Sequence, residues 1–226
     1  QDRGVLVEGN SVGYNIDPDL VETPNGWKLL YGSTGGDNPA DQTGISEVDV
    51  QISGDGTMSV ASAPKVVLSE QGERYLVEGA WMQEHDGMWY LFYSDGKWDA
   101  KGGPDDYAVK VARSASPDGP FEKLGRPVMS AGAGFTSTCH MSITTDDAGQ
   151  DWMLYHGWRA DASKGRMLLL DPITWKDGWP VVGDDGHPSS GTELLELVRE
   201  REPVARLDLD RGDTLGQQRL QARDRQ

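Results

Sequence analysis

Asp17, Glu78 and His140 stand at one place in a unit that recurs three times along the chain. Their segments read IDPDLVETPNGWKLLYGS, VEGAWMQEHDGMWYLFYS and CHMSITTDDAGQDWMLYHGW. Nine residues after each head comes a turn glycine (Gly26, Gly87, Gly149), and an aromatic-rich run then ends at Tyr31, Tyr93 or Tyr155. Two carboxyl groups and an imidazole brought to one point can transfer protons.

Each head has a plain reading beside the chemical one. Glu78 is flanked by Val77, Gly79, Ala80 and Trp81. Apolar surroundings disfavour a charged carboxylate, which suits a proton donor; pairing with Arg74 or Arg113 is the alternative. Asp17, in Ile-Asp-Pro-Asp, is either a head or a turn-capping residue before Pro18. His140 is a metal or water ligand, an orienting donor, or a core histidine. His156, at the far end of a strand, takes the structural reading. The chain lacks paired Cys/His spacing for zinc, whereas a hard cation held by waters and one imidazole fits. Cys139, the sole cysteine, reads as a small buried thiol rather than a nucleophile. Trp98, in the glycine-rich loop Asp95–Asp106, offers a stacking surface.

Something must bring these heads together. They are 61 and 62 residues apart, a period long enough for several short strands, and such repeats arrange equivalent positions around one axis in a propeller. Strands are expected over residues 27–31, 45–52, 88–93, 108–112, 152–155 and 167–170. Turns are expected at Gly54-Asp55-Gly56, Ser116 to Pro120 and Lys176-Asp177-Gly178. Residues 1–190 read as blades. Residues 191–226 read as closing strands (194–198, 204–209) and a polar tail; only 193–201 shows helical periodicity, limited by Pro203. Eight tryptophans, 29 glycines and 12 prolines suit an all-β chain of many turns. A net charge of -16 argues against nucleic acid or anionic membrane as a partner, and no apolar stretch reaches a membrane span.

In order and spacing the chain resembles glycoside hydrolase family 43. The resemblance runs from about Asn15 to Pro188. It rests on the Asp-Pro at Asp17, Val-Glu-Gly-Ala-Trp with Trp89 to Ser94, Val111-Ala112-Arg113-Ser114 with Ser116 to Phe121, Asp146 to Gly149, Tyr155-His156, Gly165-Arg166, and Leu170-Asp171-Pro172 with Trp175 through Pro180. It implies an all-β, five-bladed propeller, with about three blades here, that cleaves arabinose- or xylose-containing saccharides with inversion. Glu78 then resembles the general acid and Asp17 the carboxylate that orients and modulates it. His140 is similar to the axial histidine near a bound calcium, and Arg166 to a sugar-contacting arginine, with a surface ion pair as its alternative. Two positions depart from the pattern: Ala80 stands where proline is usual, and Cys139 precedes the histidine where glycine is usual. The family's general base belongs to a blade upstream of Asp17, which is not expected in this chain.

Three blades cannot close a ring, so a second chain or self-association is expected to complete it. Two other functions compete with the hydrolase. One is a non-catalytic glycan binder using Trp98, Phe135 and Trp158 as platforms; the other is a propeller recruited to a non-glycosidic reaction. Gln1 in place of methionine is compatible with a cleaved signal peptide, an engineered start or an upstream proteolytic cut; a secreted or periplasmic location is expected, with the cytoplasm as the alternative.

Overall fold

The computed structural model describes residues 4–7, 15–33, 44–100, 102–161 and 165–190. Strands and turns account for their regular structure, with no helix among them. The first blade comprises β1 (Asn15–Thr23), β2 (Gly26–Ser33), β3 (Gly44–Ile52), β4 (Met58–Val60) and β5 (Lys65–Ser69). The second holds β6 (Val77–His85), β7 (Met88–Asp95), β8 (Ala108–Ser114) and β9 (Glu122–Lys123). The third holds β10 (Phe135–Thr145), β11 (Asp151–Arg159), β12 (Arg166–Lys176) and β13 (Trp179–Val182). Each blade is an antiparallel meander, and a single parallel pair, Thr138 with Ala108, links the last two. The expected strands are all present and extend beyond the expected limits. The strands and helical periodicity expected within 191–226 lie outside the described residues.

Local chemistry sets the hairpins. β6 turns into β7 through Asp86-Gly87 and β12 into β13 through Asp177-Gly178, all four with positive φ. That backbone matches the strand twist and is cheap for an Asp-Gly pair. β7 is buried along nearly its whole length because both faces are covered. Leu91 and Tyr93 meet Leu30, Ile45 and Leu68 of the first blade. Tyr90 and Phe92 meet Met153, Tyr155 and Ile173 of the third. The run Trp89-Tyr90-Leu91-Phe92-Tyr93 is therefore continuously apolar where a half-exposed strand would alternate. A third cluster, Tyr31, Val48 and Val50 with Val7, Trp27 and Leu29, lies on the first blade.

One irregularity recurs in the opening strand of every blade. Pairing with the next strand slips between Ile16 and Asp19, between Glu78 and Trp81, and between Cys139 and Ser142. Each slip leaves two residues outside the regular register, a β-bulge that re-aims side chains. The first bulged residue has positive φ each time: Asp17 at 54°, Gly79 at 60° and His140 at 52°. This corrects the equivalence drawn from the nine-residue spacing. Asp17 and His140 do occupy equivalent places, but Gly79 is their counterpart, and Glu78 matches Ile16 and Cys139. The spacing misleads because Gly87 lies within its turn whereas Gly26 is the first residue of β2.

Candidate active site

The bulges deliver their residues to one cleft. Asp17 to Asp19, Gly79 to Trp81 and His140 to Ser142 line it, together with Leu154 to His156 and Leu168 of the third blade; its volume is about 560 Å³. The three opening strands touch one another there. Asp19 Oδ2 accepts a hydrogen bond from the Met82 backbone N–H at 3.0 Å, and His140 Nδ1 stands 3.9 Å from Asp17 Oδ2. Gly79 lies so close to His140 and Ser94 that a Cβ there would meet Ser94 Oγ at 2.9 Å. Glycine serves both the backbone angle and the close approach at that point.

Glu78, one residue before its bulge, is buried, 8% exposed, and does not itself line the cleft as its neighbour Gly79 does. It pairs with neither arginine suggested by sequence: Arg74 bonds Asp95, and Arg113 bonds Glu122 and the Gly178 carbonyl. Instead the Tyr107 hydroxyl donates to Glu78 Oε1. Burial, with Cys139 and Glu78 nearby, pushes the Tyr107 phenol far above its ordinary value, so it stays a donor. One carboxyl oxygen is thereby fixed. Opposite Glu78 in register is Ser94, whose Oγ accepts the His140 backbone N–H at 3.2 Å. Cys139 is fully buried, and burial raises its thiol away from the reactive thiolate.

A second group gathers around Arg166, beside the cleft but not among the residues that line it. The Arg166 guanidinium lies 5.4 Å from the Trp98 ring centroid and 5.6 Å from that of Trp158, within cation–π range. Trp98 remains 51% exposed. Its loop is anchored at Asp106, whose carboxylate accepts Ser137 N–H at 2.9 Å, Ser137 Oγ–H at 2.7 Å and Gly102 N–H at 2.9 Å. Phe135 opens β10 beside Arg159, 5.6 Å from ring centroid to guanidinium, and does not line the cleft.

Three contributors went unread in the sequence, Tyr107, Ser94 and Asp19, and His156 was read there as structural. His156 lines the cleft with its ring centroid 6.1 Å from that of His140. Burial first, then the charges of Arg166 and His140, lowers its pKa to about 4, so the ring is uncharged at neutral pH. Burial raises the Asp19 carboxyl above the usual range, and its bonds from backbone N–H groups only partly oppose this. The signal missed for His156 was alternation. It shares a face of β11 with Leu154 and Trp158, the face opposite Met153 and Tyr155.

Among the described residues no group of three or more His, Cys, Asp or Glu side chains is placed to hold a metal. His140 and Asp17 offer two donors, too sparse a set for the six to eight oxygen ligands calcium takes. The arrangement suits an uncharged, hydroxyl-bearing ligand: a neutral imidazole and the exposed Leu168 in the cleft, with an aromatic and guanidinium group beside it and a buried carboxyl next to Gly79.

Comparison with known proteins agrees with this geometry. The pattern described as Glycosyl hydrolases family 43 matches residues 3–180. A beta-D-galactofuranosidase, xynD, of Aspergillus niger is 30% identical over 181 residues, covering 78% of this chain and 48% of its own. A probable arabinan endo-1,5-alpha-L-arabinosidase C of the same fungus is 26% identical, covering 78% of this chain and 58% of its own. Among solved structures, xylan beta-1,4-xylosidase from Bacillus halodurans superposes with a TM-score of 0.62 at 22% identity, over 77% of this chain and 34% of that one. The chain thus spans about half the length of these curated relatives.

Proposed function

This chain belongs to glycosyl hydrolases family 43, and from that premise we propose that it serves hydrolysis of glycosidic bonds in arabinose- or xylose-containing saccharides, with Glu78 as general acid. The observation that carries this is the meeting of the bulged strands: Asp17 and His140 in contact across the cleft, with Glu78 buried next to the cleft-lining Gly79 and oriented by Tyr107. Glu78 donates a proton to the departing sugar oxygen from the carboxyl oxygen that Tyr107 does not hold. Asp17 is the carboxylate that orients this acid. Arg166, flanked by Trp98 and Trp158, holds the saccharide.

Inversion also needs a base about 6.5–9.5 Å from the acid, with a water between them. We assign that carboxylate to polypeptide that completes the propeller, from a second chain, another copy or further sequence. Calcium beside His140 is proposed only as an ion held chiefly by water, and no step depends on it.

Glu78→Gln tests the assignment in the completed assembly. Turnover of unactivated arabino- or xylo-oligosaccharides should fall by roughly 10²- to 10⁴-fold, and an aryl glycoside with a good leaving group should lose far less. Equal cleavage of both substrates by variant and wild type would sink the acid role. Wild type that binds oligosaccharides and cleaves none would favour a glycan-binding module instead.

A further inference from the structure

His156 is the cleft residue whose chemistry nothing else uses. It pairs in register with Cys139 of β10 and Leu168 of β12. Its ring faces Tyr107 at a centroid distance of 6.4 Å and His140 at 6.1 Å, with interplanar angles of 30° and 31°. Its Nδ1 is buried, and among the described residues no other residue offers it a hydrogen-bond partner, only its own backbone. Leu168, its neighbour across β12, is 75% exposed and lines the same cleft.

A neutral imidazole has one N–H and one bare nitrogen. A proton on Nδ1 would find, in a buried place, only the cramped contact with its own backbone, whereas a proton on Nε2 leaves only a lone pair there. Stranded donors are the rarer defect in native structures. The tautomer that fits carries its proton on Nε2 and spends it where a partner can come, in the cleft.

We propose that His156, as the Nε2–H tautomer, is a substrate-binding donor that holds a hydroxyl oxygen of the sugar residue lying on Leu168, between Arg166 and the Asp17–His140 pair. This rests on the glycosidase reading above and names a further contact within that site. The ligand class is a neutral saccharide. An uncharged donor beside Arg166 recognises a hydroxyl without placing a second cation there, and the apolar Leu168 side chain receives a C–H face of the ring.

The test joins nitrogen-15 NMR with binding, using the chain as it exists and xylotriose and arabinotriose as probes. Wild type should show the Nε2–H pattern for His156 at neutral pH, and the Nε2 resonance should move when either sugar binds. His156→Phe keeps a ring against Tyr107 but removes the donor, and should weaken binding roughly 3- to 10-fold. His156→Gln, whose amide reaches the Nε2 position, should recover part of that loss. An Nδ1–H tautomer, or a resonance unmoved by a sugar that does bind, overturns the inference and leaves the glycosidase reading standing. The same holds if His156→Phe binds as tightly as wild type. If wild type binds neither sugar, alone or in the completed assembly, the functional reading itself fails and this contact falls with it. The wild-type spectra decide the matter even if the phenylalanine variant fails to fold.

Discussion

At the scale of single residues, the cleft is built by groups whose backbone roles and chemical roles overlap. Asp19 shows this. Its carboxylate ties β1 to β6 through the Met82 N–H, yet burial raises its pKa above the usual range. A carboxyl whose folded value exceeds its unfolded value adds most stability at low pH, where it is neutral in both states. That contribution is lost as pH rises through the folded value. Asp19→Asn keeps an oxygen for Met82 and removes the ionisation. It should match or exceed wild-type stability at pH 8, with its margin over wild type shrinking toward pH 4. Asp19→Ala leaves the Met82 N–H without an acceptor and should cost about 1–3 kcal/mol. Urea unfolding across that range measures both; an asparagine variant as damaged as the alanine one would mean that the charge, rather than the acceptor, is what β6 requires.

At the scale of elements, the segment between β5 and β6 places Glu78, and a buried ionic cluster holds it. Glu73 takes Lys123 at 2.7 Å and the Tyr93 hydroxyl at 2.9 Å, and it also pairs with Lys110. Asp95 takes Lys110 at 2.7 Å and Arg74 Nε at 3.1 Å. Burial alone would raise both carboxyls, but the lysines and Arg74 outweigh it and hold both below their ordinary values. Folded values below unfolded ones mean stabilisation that is present above the unfolded pKa and lost as pH falls through the folded one. Glu73→Gln should therefore cost about 3 kcal/mol at pH 7 and progressively less toward pH 3, so that the two stability curves converge. Curves that stay parallel in chemical denaturation would show that Glu73 acts by shape alone.

The same elements show what sequence could and could not reveal. The run from Trp89 to Tyr93 announces a strand covered on both faces, and the Asp-Gly pairs announce their hairpins, because each signal is local. The convergence of Asp17 and His140 was legible from the repeat. The exact register was not, since a bulge shifts pairing by one residue without marking its position in composition. Tyr107, Ser94 and Asp19 were invisible for a related reason. Each is defined by a partner in another strand, 29, 46 and 63 residues away respectively, and no short-range pattern encodes such a pairing.

At the scale of the whole molecule, the two inter-blade seams are filled and the flanking faces are not equally covered. Met153 and Tyr155 of β11 point into the seam with the second blade, while Trp152, Leu154, His156 and Trp158 on the opposite face are half-buried. Leu168 of β12 is 75% exposed. Leu154, His156 and Leu168 of this face line the cleft, so a further layer must meet it at the cleft's edge and leave the mouth open; a chain spanning about half of its curated relatives leaves room for that layer to come from elsewhere. Opposing this is the net charge of -16, which makes copies of the chain repel one another over roughly a Debye length of ~10 Å at 0.1 M salt. The balance makes a salt test decisive. Isolated chain at micromolar concentration should self-associate, and added sodium chloride should strengthen the association by screening repulsion without weakening apolar contact. Leu168→Glu, a charge placed on the exposed face, should shift the equilibrium toward monomer at every salt concentration while thermal stability changes little. Light scattering reads all three trends. A chain that stays monomeric from low to high salt would rule out another copy as the source of the missing layer and leave a second chain or further sequence to complete the propeller.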